Sequence, residues 1–185
     1  CRLVLLSPPT ATMSSSSPSP GPRSRPTAAA AAASAAAAPA AAKVSVVVPT
    51  YREERNVEAL TRRLFAATRD AGIDAELVIV DDDSGAGTVE TVRVAEALAK
   101  EGYPVRVRVR RRAEGTGLSS AVLLGLQKEA KNDVLLVMDA DLQHEPEAVP
   151  AVLRPVLEGR ADFAVGSRNV GGGVVEDWPL VRRII

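Results

Sequence analysis

Five short apolar runs alternate with amphipathic segments, and this predicts an α/β protein with a mostly parallel sheet and helices on both of its faces. Two of the runs, VSVVV at 44–48 and VLLVM at 134–138, read as fully buried strands. A third observation is where the polar residues fall. Pro49-Thr50-Tyr51, Asp81–Ser84, Asp139–Asp141 and Ser167-Arg168 each follow a predicted strand, at the end where such sheets bind ligands.

The elements follow in order from Lys43. The first strand runs to Val48 and is stopped by Pro49. Val57, Leu60, Leu64 and Phe65 then recur at helical spacing until Gly72. Glu76–Val80 is the next strand. Thr88 is placed to cap a helix that turns Val92, Ala95 and Leu98 inward. Val105, Val107 and Val109 alternate with Arg106, Arg108 and Arg110, the pattern of an edge strand with one solvated, charged face. Gly115-Thr116-Gly117 opens a helix with Leu118, Val122 and Leu126 on one side. After VLLVM, a helix carries Val149, Val152, Leu153, Val156 and Leu157, and Phe163–Val165 closes the series as βαβαβαβαβ. Crossovers of this kind are right-handed.

Residues 1–42 differ from this pattern. They hold no Asp or Glu, three Arg, eight Ser and seven of the thirteen Pro, with thirteen Ala between Ala28 and Ala42. Such a stretch buries too little apolar surface to offset its ordering entropy, so a disordered leader is expected over 1–42 and a folded domain over 43–185. An organelle transit peptide is the functional alternative, since Ser and Arg without acids is its composition. The alanine run is too short and too weakly apolar for a membrane span, and Pro39 interrupts it. The balance of 23 basic and 23 acidic residues is therefore a basic leader set against an acidic domain. A strongly basic nucleic-acid binder is disfavoured. One cysteine excludes an internal disulfide framework and a Cys-based zinc site, and a lone histidine excludes a His-rich one.

Asp139 and Asp141 place two carboxylates just past a buried strand, where unpaired charges repel and lose solvation. A hard divalent cation resolves the repulsion, with Gln143 offering a further oxygen. Acids at a helix start are the plainer alternative. Among Asp81, Asp82 and Asp83, at least one is expected to bind a nucleotide base or ribose, against a simple Asp-Ser-Gly turn.

In order and spacing these motifs resemble family 2 glycosyltransferases: P-x-Y-x-E at Pro49–Glu53, D-D-x-S at Asp81–Ser84 and D-x-D at Asp139–Asp141. Closer detail is similar to the dolichyl-phosphate mannosyltransferase subfamily, through VVVPTYREERNVEAL, MDADLQHEP, Gly117–Ala121 and Gly166-Ser167-Arg168. The resemblance implies a three-layer α/β/α nucleotide-sugar-binding fold of GT-A type over about 44–185, incomplete at its C-terminus. It implies that Pro49, Tyr51, Glu53, Val80 and Asp82 line a guanosine pocket. Asp139, Ala140 and Asp141 would meet diphosphate and metal (Mg²⁺ or Mn²⁺), with Gln143 as a further ligand. Arg168 would bind the anionic part of the sugar nucleotide, and Asp141 and Arg168 would carry catalysis. The implied reaction is inverting transfer of mannose from GDP-mannose to dolichyl phosphate, for protein glycosylation and GPI-anchor synthesis. The implied location is the cytosolic face of the endoplasmic reticulum membrane, with small membrane-anchoring subunits as partners. The family's P-D-G-T after D-D-x-S is Gly85–Thr88 here, so one acid is absent.

Competing readings are a related polyprenyl-phosphate enzyme using UDP-glucose, a binding form without turnover, and an NAD-dependent oxidoreductase. The last rests on Gly115-Thr116-Gly117, a near miss to G-x-G-x-x-G with Ser120 at the third position. His144 reads as a surface residue at a helix start. Trp178 with Arg182 and Arg183 reads equally as a membrane-interface segment or an ordinary helix.

Overall fold

The computed structural model describes residues 2–6 and 43–167. Its elements are β1 (Arg2–Leu6), β2 (Lys43–Thr50), α1 (Val57–Asp70), β3 (Asp74–Asp81), α2 (Ala86–Lys100), β4 (Val105–Val109), α3 (Leu118–Leu124), β5 (Val134–Val137), α4 (Val149–Leu157) and β6 (Phe163–Gly166). The six strands form one sheet in the order β4-β3-β2-β5-β1-β6, and every pairing is parallel.

The period-2 alternation of the strands divides the core. Val44, Val46 and Val48 of β2, with Leu77 and Ile79 of β3, face α1, α2 and α4. Val47, Val78, Val80 and Val137 face the other way, onto Ala121 of α3. The layers are therefore α/β/α, as expected, but unequal: three helices on one face and one short helix on the other. The α1 register is as predicted, with Val57, Leu60, Leu64 and Phe65 buried.

The α3 register holds only in part, with Val122 and Leu126 packed against the core as expected. Leu118 is exposed, whereas Ala121 and Gly125 sit against the sheet. Small residues are required because a Cβ at Gly125 would stand 2.4 Å from Val47 Cγ1. The helix then widens into a π-turn over Gly125–Glu129. Thr88 does not cap α2 either. The cap position is Gly85, at φ 71°, and the Thr88 hydroxyl turns back to Asp81.

Residues 2–6 require a correction. The reading of 1–42 as a leader outside the fold fails there, because RLVLL pairs with β5 on one side and β6 on the other. Val4 is fully buried in the main core, and Arg2 donates to the Val156 carbonyl at the end of α4 at 2.8 Å. A short apolar run suffices for a strand when both neighbours are already extended. Residues 7–42 and the segment from Arg168 onward lie outside the described residues.

At the amino ends of the strands, Ser45 and Glu76 anchor the loop into β5. The Ser45 hydroxyl donates to Glu76 at 2.6 Å and accepts from the Lys131 and Asn132 N–H groups at 3.1 Å. Arg106 donates to the other Glu76 oxygen at 2.5 Å and to the Glu129 carbonyl.

Candidate functional site

The carboxyl ends of β2 and β3 and the start of α3 enclose a cleft of about 720 Å³. Pro49, Thr50, Tyr51, Asp82, Asp83, Arg112, Thr116, Gly117, Leu118 and Ala121 form its wall. Pro49 fits inside β2 because β2 pairs with β5 only as far as Val47, so no donor is missed on that side. Tyr51 is 56% exposed, with the Arg52 guanidinium 5.2 Å from its ring centre.

The loops that leave β2, β3 and β5 share one backbone feature. Arg52, Asp83 and Leu142 have φ of 61°, 50° and 60°, and no other described non-glycine residue has positive φ. Such conformations cost about 1–3 kcal/mol each and gather at functional sites.

The three consecutive acids divide their roles. Asp81 is fully buried and accepts from the Thr50 and Thr88 hydroxyls at 2.9 and 2.5 Å, so it closes the strand end rather than facing a ligand. Asp82 borders the cleft, but both of its oxygens are engaged. One accepts from Arg110 Nε at 2.6 Å and the other from the Gly117 N–H at 2.9 Å. Asp83 is exposed on the cleft wall.

Arg110 was expected on a solvated edge face, and that is corrected here: it is 1% exposed. The face it shares with Arg106 and Arg108 is covered by the segment that carries α3. Its guanidinium therefore spends its donors on protein: Asp82, the Ser120 hydroxyl at 2.5 Å and the Gly117 carbonyl at 2.9 Å. Arg106 and Arg108 are half-exposed and paired with Glu76, Glu114 and Glu129. The signal for Arg110 was the Gly-Thr-Gly-Leu-Ser-Ser segment nearby, whose Gly117 carbonyl and Ser120 hydroxyl accept from it.

Other predicted residues stand apart from the cleft. Val80 is fully buried in the core beneath α3 and is not among the residues that form the cleft wall. Glu53 is half-buried and accepts from the Asn56 side-chain amide at 2.7 Å, and it does not border the cleft. Arg168 and Trp178 lie outside the described residues.

Beyond β5, Asp139 is half-buried, Ala140 is buried, and Asp141 and Gln143 are exposed. One Asp141 oxygen accepts from the Gln143 N–H at 3.0 Å, which folds the turn tightly. Burial pushes the Asp139 carboxyl above its ordinary value; His144 opposes this and the Asp141 charge adds to it. His144 is not the surface residue expected. It is 9% exposed, its Nδ1 lies 3.8 Å from Asp139, and that nitrogen has no hydrogen-bond partner among the described residues.

Among the described residues, no three His, Cys, Asp or Glu side chains converge on one point. Asp139, Asp141 and Gln143 could therefore make only a partial donor set. Two mutually repelling carboxylates suit a hard cation that takes the rest of its shell from substrate phosphates and water. They do not suit an all-protein cage.

Residues 45–184 match the sequence model of a family described as Glycosyl transferase family 2. The chain is 48% identical over 143 residues to a dolichol-phosphate mannosyltransferase of Pyrococcus furiosus, covering 77% of this chain and 38% of that protein. It is 47% identical over 146 residues to a protein of the same name from Mycosarcoma maydis, covering 76% and 47%. It is 46% identical over 143 residues to one from Saccharomyces cerevisiae, covering 76% and 51%. The chain thus spans about half, or less, of the length of these relatives.

Proposed function

The chain belongs to glycosyl transferase family 2, and from that membership we propose that it transfers mannose from GDP-mannose to dolichyl phosphate. The observation that carries the reading is the identity of 46–48% to three proteins named dolichol-phosphate mannosyltransferase, over the part of the chain that builds the cleft. The inverting stereochemistry, the cytosolic face of the endoplasmic reticulum membrane, the small anchoring subunits and the GPI role belong to the same proposal. Among the described residues no helix is long and apolar enough to cross a membrane.

The proposed chemistry divides among the residues as follows. Pro49, Tyr51 and the loop of Asp82 and Asp83 would hold the nucleoside. Arg110 fixes the Asp82 loop to the start of α3, so the cleft wall is set before a donor arrives. Asp139 and Asp141, with Gln143, would hold Mg²⁺ or Mn²⁺, which when bound offsets the charge of a leaving diphosphate. The acceptor phosphate is already an anion, so a dedicated general base is less necessary than for a hydroxyl acceptor. Arg168 would add positive charge beside the leaving group.

A donor panel tests this: GDP-mannose, UDP-glucose and UDP-N-acetylglucosamine against dolichyl phosphate, with Mg²⁺ or Mn²⁺. Mannosyl transfer from GDP-mannose alone is expected. Preference for UDP-glucose identifies a different polyprenyl-phosphate enzyme. GDP binding without product identifies a form that binds only. Thermal stabilisation by NADH instead of GDP returns the oxidoreductase reading.

A further inference from the structure

Among the described residues, three buried side-chain polar atoms lack a hydrogen-bond partner: Glu54 Oε2, Thr91 Oγ1 and His144 Nδ1. The third stands beside the turn that follows β5. His144 is 9% exposed, and its Nδ1 lies 3.8 Å from an Asp139 carboxylate oxygen, just beyond an ordinary hydrogen bond. A buried polar nitrogen without a partner is costly, and most such groups in folded proteins are satisfied. The turn itself brings the ring there. Leu142 has φ of 60° and Asp141 accepts from the Gln143 N–H, so the chain doubles back and sets His144 against Asp139. The imidazole thus has an unspent nitrogen aimed at one carboxylate of the Asp139–Asp141 pair.

We infer that His144 is a positioning residue, whose Nδ1–H steadies the Asp139 carboxylate for a divalent cation. The inference rests on the proposed reading of Asp139 and Asp141 as cation ligands. A neutral imidazole carries its proton on one ring nitrogen, and the hydrogen-bond partner selects which. The group facing Nδ1 is a carboxylate, which accepts only, so the proton belongs on Nδ1. A carboxylate has two oxygens. One is left to face a cation when the other takes the imidazole N–H, and the rotation of the side chain is then fixed. Partners of this kind tune metal affinity without touching the metal. Asp141 already has the Gln143 N–H for this purpose, and the imidazole is what the structure offers Asp139. Closing the gap takes a shift of about 1 Å, which also gives the orphaned nitrogen its partner.

Titration of the full chain with Mn²⁺ in the presence of GDP tests the inference, followed by loss of the free-ion electron paramagnetic resonance signal. The parent is compared with His144→Leu, His144→Asn and His144→Gln. Leucine fills space without a donor. Asparagine sets an amide N–H near the place of Nδ1, whereas glutamine carries it out toward Nε2. His144→Leu and His144→Gln are expected to bind Mn²⁺ about 10–100-fold more weakly than the parent, and His144→Asn to keep most of the parent's affinity. Melting temperatures without metal separate this from a folding effect. His144→Asn and His144→Gln are expected to melt alike, so their contrast in Mn²⁺ affinity stands even where His144→Leu fails to fold. Parent-like Mn²⁺ affinity in a folded His144→Leu overturns the inference. So do equal affinities in His144→Asn and His144→Gln, which make the imidazole a packing group only. A parent that binds no Mn²⁺ overturns the cation site itself.

Discussion

The Arg110 guanidinium meets the Asp82 carboxylate at 2.6 Å with the arginine side chain wholly enclosed. Truncating one partner of such a pair strands the other charge, which typically costs about 3–5 kcal/mol. Arg110→Met should therefore lower the unfolding free energy by roughly that amount in urea titrations. The double variant Arg110→Met, Asp82→Leu should recover much of the loss, because no charge is then left unpaired. A single variant within about 1 kcal/mol of the parent would contradict the enclosed pair.

Gly125 is the second mechanical point. An added methyl would meet Val47 Cγ1 at 2.4 Å and Val80 Cγ2 at 3.1 Å. Gly125→Ala should cost about 1–3 kcal/mol through overpacking, read as a lower melting temperature. Adding Val47→Ala should restore part of it. No restoration would mean that the contact is not the cause.

Glu76 links stability to pH. Burial pushes its carboxyl up, but hydrogen bonds from Ser45, Arg106 and the Lys131 N–H outweigh this and leave it below its ordinary 4.5. A group depressed in the folded state contributes fully above its unfolded value. That contribution fades as pH drops below about 4.5 and through the lower folded value. Glu76→Gln should reduce neutral stability and flatten the acid limb of a stability–pH curve. An acid limb of unchanged steepness would locate the titration elsewhere.

Asp141 is exposed, and among the described residues its side chain makes one hydrogen bond, the turn to Gln143. Asp141→Ala should leave the melting temperature nearly unchanged yet remove metal-dependent mannosyl transfer. The loss should exceed the ~10–100-fold typical of residues outside the metal's immediate ligands. Turnover that survives with Mg²⁺ or Mn²⁺ would remove Asp141 from the metal site.

Much of this architecture was legible in the residues. Period-2 and period-3.6 apolar patterns located β2 to β6 and the helices, because burial on one face leaves a periodic trace. The strand-end position of the polar clusters followed from the same pattern. What stayed hidden depends on neighbours distant in sequence. Arg110 carries the same alternation as Arg106 and Arg108, and only the packing of α3 decides which of them is enclosed. Val80 reads as either strand core or pocket wall until α3 is placed over it. His144 reads as a surface residue at a helix start until the fold buries it beside Asp139. RLVLL was masked by the low-complexity composition around it.

The placement of β1 bears on the order of assembly. β6 is hydrogen-bonded to β1, not to β5, so the last strand described docks on the first. Arg2 pairs with Val134 and Leu3 with Phe163, which are among the most sequence-distant contacts in the sheet. Closing so long a loop costs entropy before any contact rewards it. The β4-β3-β2-β5 half is joined by shorter connections and is suited to form early. The β1-β6 side of the sheet therefore carries the larger loop-closure entropy.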